Sequence, residues 1–263
     1  GGMANGASTT TLTNSILWGN TAPTGSQIYG SASVTSSIVQ GGWTGDGNLN
    51  QDPLFADPAG GDLRLSPGSP AIDAGTNSGA PAFDLDGRSR PQDGNADGSA
   101  VADMGAYEYP AGAVLYVDLD ATGLNNGTSW TNAFADLQDA LAVANDDDEI
   151  WVAEGAYTPT SGSEREISFA MKSAVGVYGG FDGSESTLAQ RDWTSHVTVL
   201  SGDLNGDDAS GGDNRENSYH VVFASGVTDA VLDGFTITGG NADSRTYPIN
   251  SGGGMHSSSS TVT

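Results

Sequence analysis

The chain has 263 residues, 8 Lys plus Arg against 33 Asp plus Glu, a net charge of −25 and no cysteine. So acidic a surface repels phosphate backbones and anionic lipid and attracts cations, which excludes nucleic acid and membrane surfaces as partners. Without cysteine there is neither a disulfide framework nor a thiolate metal site, and no stretch approaches the roughly 18 apolar residues of a membrane span.

The first strand candidates lie in "TTTLTNSILWGN" (Thr9 to Asn20) and "SVTSSIVQGG" (Ser33 to Gly42), short β-branched runs closed by Gly or Asn turns. They repeat about 22 residues apart, the spacing of a solenoid coil rather than of a hairpin. The phrase returns as "LDGFTITGGN" (Leu232 to Asn241). Leu12, Ile16, Val34, Ile38, Leu232, Phe235 and Ile237 are therefore expected to form an inward ladder, with coils stacked about 4.8 Å apart. Because the chain opens on Gly1, inside a repeated phrase, it is expected to be an excised or processed piece whose targeting signal lies elsewhere.

Further along, "TNAFADLQDALAVAND" (Thr131 to Asp146) places Phe134, Leu137, Leu141 and Val143 or Ala144 near helical spacing. One short amphipathic helix is expected there, with Asn132 as its N-cap, lying across the first coil as a cover for the apolar core. "EIWVAEGAYT" (Glu149 to Thr158) would open the first full coil, and "VTVLSGD" (Val197 to Asp203) and "YHVVFAS" (Tyr219 to Ser225) supply later strands.

Two sets of phrases carry a family resemblance. "GSQIY", "SIVQGG", "DPLFAD", "DLRLSPGSPAIDAG", "DLDGRSRP" and "DMGAYEY", between Gly25 and Tyr109, resemble the C-terminal portion of bacterial secreted right-handed parallel β-helix proteins, with polymorphic-outer-membrane-protein-like repeats and a choice-of-anchor-type region. "LYVDLDATGLNNGTSWTNAFADLQDALAVA" (Leu115 to Ala144), "VGVYGGFDGSESTLAQRDW" (Val175 to Trp193) and "GGGM" (Gly252 to Met255) resemble the N-terminal cap and opening coils of the same family. The resemblance implies an all-β fold, a right-handed parallel β-helix with one short capping helix, and an extracellular or cell-surface location. Its order is inverted along this chain. Residues 1–42 match terminal coils, 43–109 the C-terminal cap region, 110–113 a linker, 114–195 the N-terminal cap and first coils of a next unit, and 196–263 coils with an open end.

Closure of both halves into one permuted solenoid is disfavoured, because six or more coils span roughly 30 Å whereas four linker residues reach roughly 14 Å. The alternative is a repeat of a tandem array or polymer whose bare strand edges need a cover. The expected partner is an identical unit, end to end, with residues 1–20 stacking on 254–263 of a neighbour.

Two acidic loops are candidate metal sites. "DGNADG" places Asp93, Asn95 and Asp97 at alternate positions before Gly98, as in the first half of a calcium loop, although Met104 stands where the closing bidentate Glu would be. "DLNGDD" offers Asp203, Asn205, Asp207 and Asp208, with Asp213 further on; Asp84 with Asp86 and Asp118 with Asp120 are weaker cases. Each competes with a plain turn role, since Asp, Asn and Gly fill turns for backbone reasons alone. Calcium is the expected cofactor. A parallel β-helix can also carry a lyase or hydrolase, but the single lysine, Lys172, sits in a turn before a strand and neither a Gly-His-Gly nor an Arg-x-Lys signature occurs. His196, His220 and His256 are scattered and are given no role, "VYGGFDG" lacks the glycine spacing and lysine of a phosphate cradle, and four of the five tryptophans read as core or cap residues. The expected function is thus a calcium-stabilised structural unit of an extracellular filament or surface array. A glycan-binding, adhesive surface module is the alternative, and a calcium-dependent polysaccharide lyase a weaker one.

Overall fold

Short β-branched runs between glycine and asparagine turns give short strands, and their partners reveal the architecture. A computed structural model describes residues 1–6, 10–95, 97–110, 112–246 and 248–263. Ala96, within the first acidic loop, Ala111, within the 110–113 segment, and Ala7, Ser8, Thr9 and Tyr247 lie outside the described residues. The chain divides into two units, Gly1–Ala113 and Val114–Thr263. Among the described residues the regular structure of both is mostly strands, with one α-helix in the second, and no helix is long and apolar enough to cross a membrane.

The first unit opens with β1 (Met3–Ala4), β2 (Thr10–Thr13), β3 (Ile16–Leu17), β4 (Ile28–Tyr29), β5 (Ala32–Thr35) and β6 (Ile38–Val39). Each strand pairs in parallel with the third one after it: β1 with β4, β2 with β5, β3 with β6. The expected partners Leu12 and Val34, and Ile16 and Ile38, stand in register. Between β2 and β3 the backbone turns at Asn14 (φ 48°), and at the equivalent Ser36 (φ 46°) between β5 and β6. This left-handed corner is tolerated by short polar residues, and the Asn14 amide fixes it by exchanging two hydrogen bonds with the backbone of Thr76, at 2.7 and 2.8 Å. Leu17, Ile28, Val34 and Val39 fill the space between the strands.

After β6 the parallel pattern ends in a single bridge, Ile38 to Leu49, with Val39 N–H donating to Leu49 O and Leu49 N–H to Ser37 O. An antiparallel pair follows, β7 (Phe55–Asp57) with β8 (Asp62–Leu65), and the described residues of 66–113 contain only an isolated bridge from Phe83 to Ser89. Irregular backbone leaves N–H groups unpaired, and buried carboxylates satisfy them here. Glu108 accepts from the N–H groups of Gln92 and Asp103, at 2.9 Å each, and pairs with Arg90 Nε at 2.8 Å. Asp103 accepts from Asp73 and Tyr109, and Asp84 from Arg88 and Glu108.

Burial is the largest influence on the Asp103 carboxyl and raises its pKa to about 7, against the pull of the Tyr109 and Asp73 N–H groups. Its folded form therefore holds a proton more tightly than the unfolded chain does, near 3.8. Stability from this group is complete below about pH 4 and is lost as the pH rises through 7. Asp73, also raised by burial, acts in the same direction. The urea midpoint of the first unit is expected to be higher at pH 5 than at pH 8, and Asp103→Asn to flatten that difference. An unchanged pH slope in the variant would remove Asp103 as its source.

The second unit contains β9 (Val114–Val117), α1 (Leu137–Val143), β10 (Glu149–Ala153), β11 (Gly155–Tyr157), β12 (Phe169–Ala170), β13 (Gly176–Phe181), β14 (Thr198–Ser201), β15 (Val222–Ser225), β16 (Val231–Asp233), β17 (Phe235–Thr238) and β18 (Met255–Ser258). β9 pairs with the next strand, β10, and from β10 onward each partner is again the third strand on. Three parallel sheets result, in the orders β16-β13-β10-β9, β11-β14-β17 and β12-β15-β18. One core cluster takes Leu115, Ile150, Val152 and Val177 from the first sheet, Tyr157 and Leu200 from the second, and Phe169, Val222 and Ala224 from the third. Before the strands of the first sheet, Asp147, Ala174 and Asp229 take up the left-handed region in three successive rounds (φ 67°, 54° and 56°). The N–H of Asp147 donates to Ala174 O, and that of Ala174 to Thr228 O, so the corner is repeated as well as the strands.

The helix covers this core with Leu137, Ala140 and Leu141, but it is shorter than expected and Asn132 is not its cap. Phe134 is held extended beside Val117, donating to Tyr116 O and accepting from Asp118 N–H. Asn132 is tied into the preceding turn by Leu124, Asn126 and Gly127. Asp136 caps the helix instead, accepting from Gln138 N–H at 2.9 Å. Trp151 is buried, yet not among the aliphatic ladder residues on either side of it. It stacks on Phe181 at 4.9 Å and meets Tyr116 edge-on, while Trp130 packs on both of those rings.

Candidate metal centre

The loop between β14 and β15 leaves Ser201 and gathers carboxylates before it returns at Val222. Asp203, Asp207, Asp208 and Glu216 bring one oxygen each to within 4.8 Å of one another. The first turn is built by Asp203, whose Oδ1 accepts from Gly206 and Asp207 N–H and whose Oδ2 accepts from Asp208 N–H. This aspartate is a turn residue and a candidate ligand at once. A single 3₁₀ turn, Asp208–Ser210, follows and ends at Gly211 with φ 86°. The chain then folds back so tightly that a Cβ on Gly212 would lie 1.9 Å from Asp207 Oδ1, so that a larger residue there would displace that carboxylate.

How each oxygen is satisfied separates ligand candidates from turn residues. Asp207 Oδ1 and Glu216 Oε1 are buried atoms with no hydrogen-bond partner. Two unit charges about 5 Å apart repel by roughly 3 kcal/mol at an effective dielectric near 20, and four carboxylates multiply that. The adjacent cation, Arg215, is 84% exposed and points to Asp213 at 3.9 Å, so it offers little compensation. An all-oxygen, multiply charged set suits a hard divalent cation.

No family model, curated protein or solved structure matches the chain. The case for the site therefore rests on its own geometry.

Of the residues singled out in the second acidic loop, Asp203, Asp207 and Asp208 come together. Asn205 is exposed and caps Asp207 N–H at 3.1 Å, and Asp213 accepts from Arg215 N–H at 3.0 Å; neither belongs to the group. Glu216 was missed. Counted from Asp203, the twelfth position is Asn214, and the carboxylate that closes the group stands two residues beyond it.

In the first acidic loop, Asp93 spends its two oxygens on the N–H groups of Asp97 and Gly98, Asn95 caps Asp97, and Asp97 caps Ser99. These bonds account for the alternate spacing as a turn, and among the described residues Asp93 and Asp97 gather no third carboxylate or imidazole around them. Asp86 is likewise engaged, by Arg64 at 2.7 Å, which holds its carboxyl below the usual range, and Asp118 caps Asp120 N–H. Lys172 Nζ donates to Ala144 O. His220 and His256 lie side by side, ring centroids 5.0 Å apart, against Phe223. Trp193, 54% exposed, stands beside Arg191, which also faces the Tyr178 ring and pairs with Asp233.

Proposed function

We propose that this chain is a structural module of an extracellular filament or surface array, built from right-handed parallel β-helix coils that stack end to end and are stabilised by calcium. The observation that carries it is the one-sided pairing of the outermost strands. Among the described residues β1, β2 and β3 have neighbours on one side only, as do β17 and β18, whereas β16 is met on its outer side by residues 261–263, Leu232 N–H donating to Thr263 O at 2.8 Å. Their ladder residues Leu12, Ile16, Leu232, Phe235, Ile237 and Met255 are only partly buried. An edge of unpaired N–H and C=O groups backed by half-covered apolar side chains is a template for another parallel strand. Pairing of every third strand supports the coil reading, and parallel crossovers are right-handed in about 98% of cases.

Calcium enters because stacking would bring together chains that each carry a net charge of −25. A cation at Asp203, Asp207, Asp208 and Glu216 would offset the four carboxylates gathered there. The expected result is that the purified chain forms rods in millimolar Ca²⁺, seen by electron microscopy and sedimentation, that disperse when a chelator is added. Monodisperse particles indifferent to both would overturn the filament reading. One observation favours an adhesive role instead: the exposed Trp193 with Arg191 and Asp233 offers an aromatic face next to paired polar groups, the combination that grips a sugar ring.

A further inference from the structure

We propose that the amide oxygen of Asn217 completes the cation site of Asp203, Asp207, Asp208 and Glu216, and that the bound cation latches the outermost round of the second unit, β16 to β18, to the round beneath it. The proposal rests on the metal-centre reading above and asks nothing of assembly.

Asn217 is 1% exposed, and its Nδ2 donates to Asp208 Oδ2 at 2.8 Å. Its Oδ1, and the hydroxyl of the fully buried Ser218 next to it, have no hydrogen-bond partner. A buried amide oxygen left unpaired carries its whole desolvation penalty. Half a turn about χ2 exchanges the two amide atoms. The group now bonded to Asp208 would then offer Oδ1 to a cation lying among the carboxylates. Four carboxylates and one amide oxygen, irregularly spaced along a loop, match the six to eight oxygen ligands of Ca²⁺ better than the strict octahedron of Mg²⁺.

The residues beside this site also hold the next round. Asn241, on the connection from β17 to β18, donates its N–H to Ser218 O at 2.8 Å and its Nδ2 to Asn214 O at 2.6 Å. Arg165 ties the two loops together, donating from Nε to Asn217 O at 2.5 Å and from Nη2 to Asn241 O and Asp243 Oδ1. Gly202 N–H donates to Thr238 O, and Ser218 N–H to Gly202 O. Residues 214–218 thus stand between the carboxylates and the outermost strands. Without a cation, repulsion drives residues 203–208 away from Glu216, and displacement of that segment removes the anchors of Asn241. Since β17 and β18 have one strand neighbour each, these loop anchors are a large share of what holds them. Coupling of this kind is reciprocal: a cation that orders the round is itself bound more tightly when the round is ordered.

The test is calcium titration of the full chain by calorimetry, with amide hydrogen exchange at a concentration where the chain stays monomeric. Saturating Ca²⁺ is expected to slow exchange over residues 235–245 by about tenfold, with no change over residues 1–113 and a smaller effect of Mg²⁺ at equal concentration. Glu216→Gln and Asn217→Ala are each expected to weaken Ca²⁺ binding by about 10–100-fold. Absence of Ca²⁺ binding would overturn the site, and binding that leaves residues 235–245 unprotected would overturn the latch. Full affinity in Asn217→Ala would remove the amide ligand. If either variant fails to fold, the Ca²⁺ and Mg²⁺ responses of the natural chain still decide the latch. Protection without rods counts against stacking alone.

Discussion

Replacing Glu108 by alanine is expected to destabilise the first unit by about 3–5 kcal/mol, the cost of breaking a buried ion pair from one side. The Glu108 side chain is 0% exposed and that of Arg90 4%, so the guanidinium would lose its counter-charge without gaining water. Two backbone N–H groups, of Gln92 and Asp103, would lose their acceptor in the same step. Each loss lands in residues 66–113, where almost no strand pairing stands behind the irregular backbone. Hydrogen exchange read on residues 1–113 measures the effect. The double variant Glu108→Leu with Arg90→Met is expected to be less destabilised than Glu108→Ala, since no unpaired charge remains buried. A cost under 1 kcal/mol for Glu108→Ala would mean that the carboxylate is incidental to this backbone.

None of that role was visible in the sequence, although its residues were in plain view. "DMGAYEY" reads as a phrase, whereas the duties of Asp103 and Glu108 are set by partners at Asp73, Gln92 and Arg90, which tertiary folding alone brings near. The repeat was legible because its carriers are local and periodic. Leu12 and Val34 share a register, as do Ile16 and Ile38, since a fixed spacing of β-branched residues dictates which strand lies over which. The helix was legible, but its cap was not. Asn132 and Asp136 are both good capping residues, and the choice fell to the pairing of Phe134 with Val117, which holds the chain extended past Asn132.

The two acidic loops show the same limit from another side. Asp93, Asn95 and Asp97 repeat the spacing of Asp203, Asn205 and Asp207, and both sets cap N–H groups within their own turn. Composition and spacing do not tell them apart. What does is a distant carboxylate returning to the second loop, Glu216, and the oxygens left without donors there. In the first unit, the buried carboxylates of Asp84, Asp103 and Glu108 are matched by backbone N–H groups. In the second, Asp207 Oδ1 and Glu216 Oε1 are left without donors in a group that could hold a cation.

Phe169→Ala is expected to cost the second unit about 3–5 kcal/mol, and to leave the first unchanged. Phe169 is 1% exposed and lies on β12, a strand of only two residues at one edge of the third sheet. Its backbone contributes two bonds around it, Phe169 N–H to Val221 O and Met171 N–H to Phe223 O, too few to fix a strand without the ring. The ring belongs to the cluster that the helix covers with Leu137 and Leu141, so its loss opens a cavity between the sheets and beneath the cap. Phe169→Leu keeps most of the volume and is expected to cost less than half as much. Hydrogen exchange over residues 114–263 should then rise first in β12 and the helix, which share the cluster the ring belongs to. If it rose first over β16 to β18 instead, the covered core would not be what holds the strand rounds together, and the outermost round would depend on the ring rather than on its own loop anchors.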